Sequence, residues 1–240
     1  MTDNDVADGS PAANRREMLS AVVTMSAAVG VIGFVFGVGA VSAGATVLQA
    51  CVMSLLVFTG ASQFSAVSVV ASGGTTGAAL GGAMVLAARN TVYGLAMSRS
   101  IGGSLPRRLV AAQFTIDETT AMALAQDRME DKRYAFWATG ITLYACWNVG
   151  GLIGAVVGGS IEPETYGLDV AFPAAYVAMV LPHLRHRRGL IAGVLGAAIS
   201  VVLIPFTPVG VPILCAAAAI LVGLPPPTEP DDMPTEGMPV

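Results

Sequence analysis

Three ionisable side chains stand in stretches of this sequence that are otherwise apolar. Arg89 lies in MVLAARNTVYGLAM, with Asn90 beside it and Tyr93 one helical turn on. Asp117 and Glu118 are the only acids in RRLVAAQFTIDETTAMALAQ, residues 107–126. A charge at the centre of a membrane helix costs about 2.5–3.5 kcal/mol on insertion scales, so Arg89 needs a partner from elsewhere in the fold. Asp117 and Glu118 are the natural partners. Such a group of charges can be a structural ion pair, and it can equally serve a substrate carboxylate or a proton relay; the two readings coexist.

Amides and hydroxyls form a second group. The stretch LLVFTGASQFSAVSVV, residues 55–70, carries Thr59, Gly60, Ser62 and Gln63 deep inside an apolar run. Thr59 and Gln63 are four residues apart and share a face if the segment is one helix, while Ser65, Ser68 and Ser72 make a second polar stripe. Such groups commonly bond across helices in lipid. Gly60 loosens the helix and allows backbone groups to line a cavity. Asn148, one turn after Tyr144 and next to Trp147, is a weaker counterpart of the same kind.

The elements that must position these groups are membrane helices. The chain has 240 residues, 54% apolar and only 12% charged, against roughly 25% charged in an ordinary globular protein. No charge occurs between Glu17 and Arg89, and a span needs about 20 apolar residues. A soluble helix would carry charge on its outer face. Glycine and proline divide the chain into apolar segments near 18–41, 46–72, 77–98, 134–159, 170–184, 189–204 and 209–224. The reading is an all-α polytopic membrane bundle of about seven spans, within about six to eight, some of them short or broken. Residues 105–128 can cross, re-enter or lie at the interface. Residues 1–17 and the acidic, proline-rich 225–240 read as disordered tails around a transporter-like domain over 18–224.

The positive-inside rule leaves two arrangements close. If 105–128 crosses and the N-terminus is cytoplasmic, Arg99, Arg107 and Arg108 are exceptions; if it does not cross and the N-terminus is outside, Arg15 and Arg16 are. Both put the HLRHRRG turn, residues 183–189, in the cytoplasm and the loop with Glu162 and Glu164 outside. Gly33 with Gly37 and the series Gly150, Gly154, Gly158 allow close helix approach.

Other chemistries find little support. HExxH, Walker and GxSxG motifs are absent, so the reading is not an enzyme. Cys51, Cys146 and Cys215 lie in separate apolar segments without metal-binding spacing, and His183 and His186 sit in a basic turn, so neither a metal nor another cofactor is expected. No basic patch interleaved with aromatics points to nucleic acid.

The series FGVGAVSAG (36–44), MSLLVFTGASQF (53–64), RNTVYG (89–94), DETTAMAL (117–124), YACWNVGGLIGAVVG (144–158) and GLDVAFPAAYVAMVLP (167–182) resembles the large subunit of the AzlC-type branched-chain amino acid permeases, the LIV-E exporters. The similarity covers about residues 18–224, in order and with matching spacing. It implies a multi-pass protein of the bacterial cytoplasmic membrane, a proton-driven exporter of leucine, isoleucine and valine and in some members methionine. It also implies a small AzlD-type membrane subunit as partner. The family's GA-S/G-QF element falls on Gly60, Ala61, Ser62, Gln63 and Phe64. Its N-L-R-H-x-x-Y-G element keeps Arg89, Tyr93 and Gly94 but has Ala87 for asparagine and Asn90 for histidine. Its T-D-E-T/S element keeps Asp117 and Glu118, with Ile116 for threonine. The resemblance therefore leaves Asp117 and Glu118 as candidate proton carriers. The competing reading is a membrane scaffold whose polar groups only hold helices together.

Overall fold

The computed structural model describes residues 11–160 and 183–223, with single positions between 174 and 181. Regular structure among the described residues is wholly helical. In chain order the helices are α1 (Pro11–Ser42), α2 (Val47–Leu56), α3 (Ala61–Ala71), α4 (Thr76–Ala87), α5 (Arg89–Ile101), α6 (Leu105–Gln113), α7 (Asp117–Leu124), α8 (Met129–Gly158), α9 (Arg187–Leu203), α10 (Val211–Ala216) and α11 (Ile220–Gly223).

Two of these, over Arg15–Ser42 and Met129–Gly158, are each long and apolar enough to cross a membrane alone. They form the axis of the bundle and run parallel, because rising numbers on α1 meet rising numbers on α8. Gly30 lies against Cys146, Gly33 against the Trp147 backbone, Gly37 against Gly151 and Val38 against Gly158. A Cβ on Gly37, Gly150 or Gly154 would overlap the carbonyl oxygen of Gly151, Gly30 or Phe34 respectively. The glycine spacing seen in the sequence therefore brings two backbones into contact, the small-residue packing expected in lipid.

Two parallel helices require the chain to return between them, and α4 with α5 makes that return. The turn before α4 follows the end of α3, where Val67 and Val70 line one pocket with Ala40 and Ala43 at the end of α1. The end of α5 lies beside the start of α8, where Arg133 Nε donates to Ser100 O at 2.7 Å.

The other two pairs, α2 with α3 and α6 with α7, are half-length hairpins. Helix α2 descends along α8, with Ser54 beside Gly151 and Leu55 O accepting from Tyr144 Oη at 2.9 Å. Helix α3 climbs back along α1: Gly60 shares a cavity wall with Ile32, the Phe64 ring is 5.9 Å from Phe36, and Val67 and Val70 reach the level of Ala43 and Ala45. Helix α6 enters from the opposite end, with Arg108 near Ser98 and Thr115 near Asn90. Helix α7 returns, from Asp117 beside Arg89 to Met122 and Ala125 beside Met18 and Ala21. Two half-length hairpins thus meet tip to tip in mid-bundle.

Local chemistry explains both tips. Gly60 has φ +56° and ψ −84°, a region open to glycine and closed to most side chains. Its N–H donates to Gln63 Oε1 at 3.2 Å, and Thr59 Oγ1 is hydrogen bonded to Ser62 Oγ. At the second tip, Ile116 N–H donates to Thr119 Oγ1 at 3.0 Å, while that hydroxyl donates to Phe114 O at 2.7 Å. Each tip is a helix N-terminus capped by its own third residue.

Several sequence expectations change. Residues 46–72 and 105–128 are helical hairpins, and 77–98 has a one-residue interruption at Ala88, which keeps right-handed helical dihedrals, so Arg89 stands at the junction of α4 and α5. Thr59 and Gln63 do not share a helix face, because Thr59 belongs to the tip and precedes α3. Residues 11–17, expected in the polar tail, are helical, held by the Arg15–Asp131 ion pair at 3.2 Å and by Arg15 over the Tyr134 ring. Most of the 170–184 segment, and the tail over 225–240, lie outside the described residues.

The C-terminal part packs on α4. Gly210 lies against Ala78 and Leu214 against Gly81. Helix α9 runs antiparallel to α10, with Gly196 beside Ala216, so the turn holding Pro205 and Pro208 is at the far end from Arg187.

Candidate functional site

Helices α3 and α7 begin at the same depth, after Gly60 and at Asp117, and there α4 passes into α5 through Ala88, which keeps right-handed helical dihedrals. The first N–H groups of a helix have no partner inside it and carry the positive end of its dipole. The tips also hold the last carbonyls of α2 and α6, so backbone donors and acceptors come to the same depth.

Arg89 projects into this point and joins the two tips. Its Nη1 is 3.2 Å from Asp117 Oδ2, and its Nη2 donates to Thr59 O at 3.3 Å. Both side chains of the pair remain about 30% exposed. They line a cavity of about 50 Å³ with Thr59, Gly60 and Phe58 from the first tip, Ile116 and Glu118 from the second, Val29 and Ile32 from α1 and Trp147 from α8. One side of the cavity is charged and the other is aliphatic and aromatic. Two donors at this place, Arg89 Nε and Trp147 Nε1, are buried without a hydrogen-bond partner among the described residues, which is uncommon for buried polar groups.

Of the sequence candidates, Thr59, Gly60, Arg89, Asp117, Glu118 and Trp147 come together here. Ser62 and Gln63 are buried behind the first tip and shape it. Asn90 faces a groove between α5 and α6, whereas Tyr93, without lining the cavity, stands close enough to Asp117, Arg89 and Glu118 to interact with their charges. Asn148 Nδ2 donates to Tyr144 O at 2.8 Å, one turn back in its own helix. Tyr144 reaches Leu55 O on the first hairpin.

Sequence reasoning missed the apolar wall of Val29, Ile32, Phe58 and Ile116, which no pattern separates from ordinary membrane residues. It also missed Gln113, whose Nε2 donates to Leu55 O at 3.0 Å and Leu56 O at 3.3 Å. The signal for Gln113 was present: it is an amide followed by phenylalanine in an apolar run, as Gln63 is.

Comparison with known proteins adds the family. The profile of the family described as AzlC protein matches residues 24–161, more than half of the chain. The chain belongs to the AzlC family. Every residue lining the cavity lies inside the AzlC match. Relatives of this AzlC-family chain include the Inner membrane protein YgaZ of Escherichia coli, 26% identical over 72% of this chain and 75% of YgaZ. An uncharacterized membrane protein of Archaeoglobus fulgidus is 27% identical over 80% of this chain and 86% of its own length, and one of Helicobacter pylori is 24% identical over 71% and 75%. No solved structure matches the chain significantly. With these membrane-protein relatives and its two long apolar helices, the AzlC-family chain is a helical membrane protein.

Proposed function

We propose that this AzlC-family protein is a secondary transporter of the bacterial cytoplasmic membrane that exports leucine, isoleucine and valine in exchange for protons, together with a small AzlD-type subunit. The observation that carries the reading is the cavity between the hairpin tips, where a cation, two carboxylates and an aliphatic wall meet in mid-bundle. A branched-chain amino acid presents three matching parts. Its carboxylate suits the guanidinium of Arg89 and the convergent helix N-termini, its ammonium suits Asp117 and Glu118, and its side chain suits Val29, Ile32, Phe58 and Ile116. Discontinuous helices with their N-termini at the substrate are a recurring construction in secondary transporters. Direction, proton coupling and the small subunit rest on the family resemblance.

The hairpins also support an orientation. With both of them returning to their own side, Arg15, Arg16, Arg99, Arg107, Arg108, Arg128, Lys132, Arg133, Arg187 and Arg188 share one end of the bundle. Under the positive-inside rule that end is cytoplasmic and no basic residue outside the site is an exception. Among the described helices, the crossings in this reading are α1, α4–α5, α8, α9 and α10–α11. A cysteine-labelling map from the two sides tests it: a cysteine in the 42–46 turn and one in the 72–75 turn should both label from outside.

The transport reading is tested in cells loaded with a leucine- and valine-containing dipeptide. Intracellular leucine and valine should fall faster when this chain and its small subunit are expressed. An unchanged rate would remove the reading.

A further inference from the structure

The cavity is small. About 50 Å³ accommodates one or two waters, whereas pockets for small-molecule ligands run to several hundred Å³. An amino acid therefore enters only if the tips separate, and the contacts that hold them together decide when that happens.

Those contacts form a layer of their own, next to the cavity. Gln113, the last residue of α6, donates from Nε2 to Leu55 O and Leu56 O, the carbonyls at the C-terminal end of α2 that have no partner within that helix. Tyr144 Oη donates to the same Leu55 O at 2.9 Å. The Phe58 and Phe114 rings, one from each tip, are 6.4 Å apart edge to face, and each packs on Tyr144, at 5.1 Å and 5.4 Å. Neither Gln113, Phe114 nor Tyr144 lines the cavity. One amide side chain thus spans from the second hairpin to the backbone of the first, and one tyrosine on the static helix α8 anchors both.

We propose that Gln113, with Tyr144 beneath it, is the latch that holds the two hairpin tips closed over the site, and that its release from Leu55 O and Leu56 O admits the substrate. The proposal rests on the reading of the cavity as a substrate site. Gln113 and Tyr144 are positioning residues, acting on the site through the tips. The latch suits repeated opening, because directional hydrogen bonds to carbonyls can be exchanged for water when the tips part, while the aromatic edges slide without leaving a charge unpaired.

The test reads accessibility and does not depend on transport. In a background with the three native cysteines replaced by alanine, Ile116→Cys puts a reporter thiol in the cavity wall, at a position 7% exposed. Right-side-out and inside-out vesicles carrying the full chain and its small subunit are treated with a membrane-impermeant methanethiosulfonate reagent. Adding Gln113→Leu, which keeps the bulk and removes the donor, should accelerate labelling about fivefold from at least one face. Tyr144→Phe, which keeps the ring and removes one bond, should give a smaller acceleration, and Gln113→Asn should restore part of the slow rate. If labelling of both Gln113→Leu and Tyr144→Phe is unchanged from both faces in protein that extracts as a single species, the latch is wrong. Leucine efflux measured on the same vesicles separates the two ideas: faster labelling with no efflux in any variant removes the transport reading and leaves the latch, whereas normal efflux with unchanged labelling removes the latch alone.

Discussion

The seam between α1 and α8 and the junction between the hairpin tips lie side by side and are built on opposite plans. In the seam, Gly37, Gly150 and Gly154 bring one backbone directly onto another, leaving no room even for a methyl group. At the tips, contact is made by side chains: Arg89 to Asp117 and Thr59, Gln113 to Leu55 and Leu56, and Phe58 to Phe114, around a void. Backbone-to-backbone packing has one good arrangement and resists sliding. Side-chain bonds to carbonyls have several, at similar free energy. The seam is a close backbone fit, and the junction between the tips is a set of side-chain bonds.

The comparison can be broken first at the seam, where the largest effect is expected. Gly154→Val sets branched carbons against the Phe34 carbonyl, and overpacking of this kind costs about 1–3 kcal/mol or more. The extracted protein should melt lower by about 3–10 °C, or fail to accumulate, as judged by size-exclusion yield. Next is Arg89→Ala, which leaves Asp117 without its partner in a largely apolar interior. Efflux should drop to background; Arg89→Lys should restore only part of it, because a single ammonium cannot reproduce the fork between Asp117 Oδ2 and Thr59 O. A normal efflux rate in Arg89→Ala would remove it from the site.

Glu118→Gln is expected to act on coupling and not on folding. Protein yield should match the parent while the dependence of efflux on external pH flattens; an unchanged pH profile would remove Glu118 as the proton carrier. The smallest effect sharpens the contrast from the other side. Gly94, on α5, has open space where a Cβ would stand, so Gly94→Ala should leave efflux alone and raise stability by up to about 1 kcal/mol, through the gain in helix propensity. The same kind of substitution is then damaging in the seam and harmless outside it.

The sequence legibly announced the polar actors but not their geometry. Arg89, Asp117 and Glu118 were conspicuous because charge is costly in lipid, and their mutual partnership followed from scarcity. Gly60 and Gln63 were conspicuous as polarity in mid-run, yet they were read along a continuous helix, on which Thr59 and Gln63 would share a face. Breaking the helix at Gly60 assigns Thr59 to the tip and turns Gln63 into the cap of that same glycine. Gln113 went unremarked because one amide near a basic helix end resembles an interfacial residue until its partner carbonyls are known.

Composition and the long uncharged run alone determine that this chain is helical and lives in lipid, since only helices satisfy their own backbone there at that length. Glycine spacing alone makes two helices able to touch. Hydropathy could not decide that two of the apolar segments turn back halfway, because a half-length hairpin and a full span bury the same kind of residue and differ only in where their ends meet the rest of the chain. That was decided by tertiary contacts, Ser54 with Gly151, Phe64 with Phe36, and Asp117 with Arg89, and with it came the small cavity between the tips.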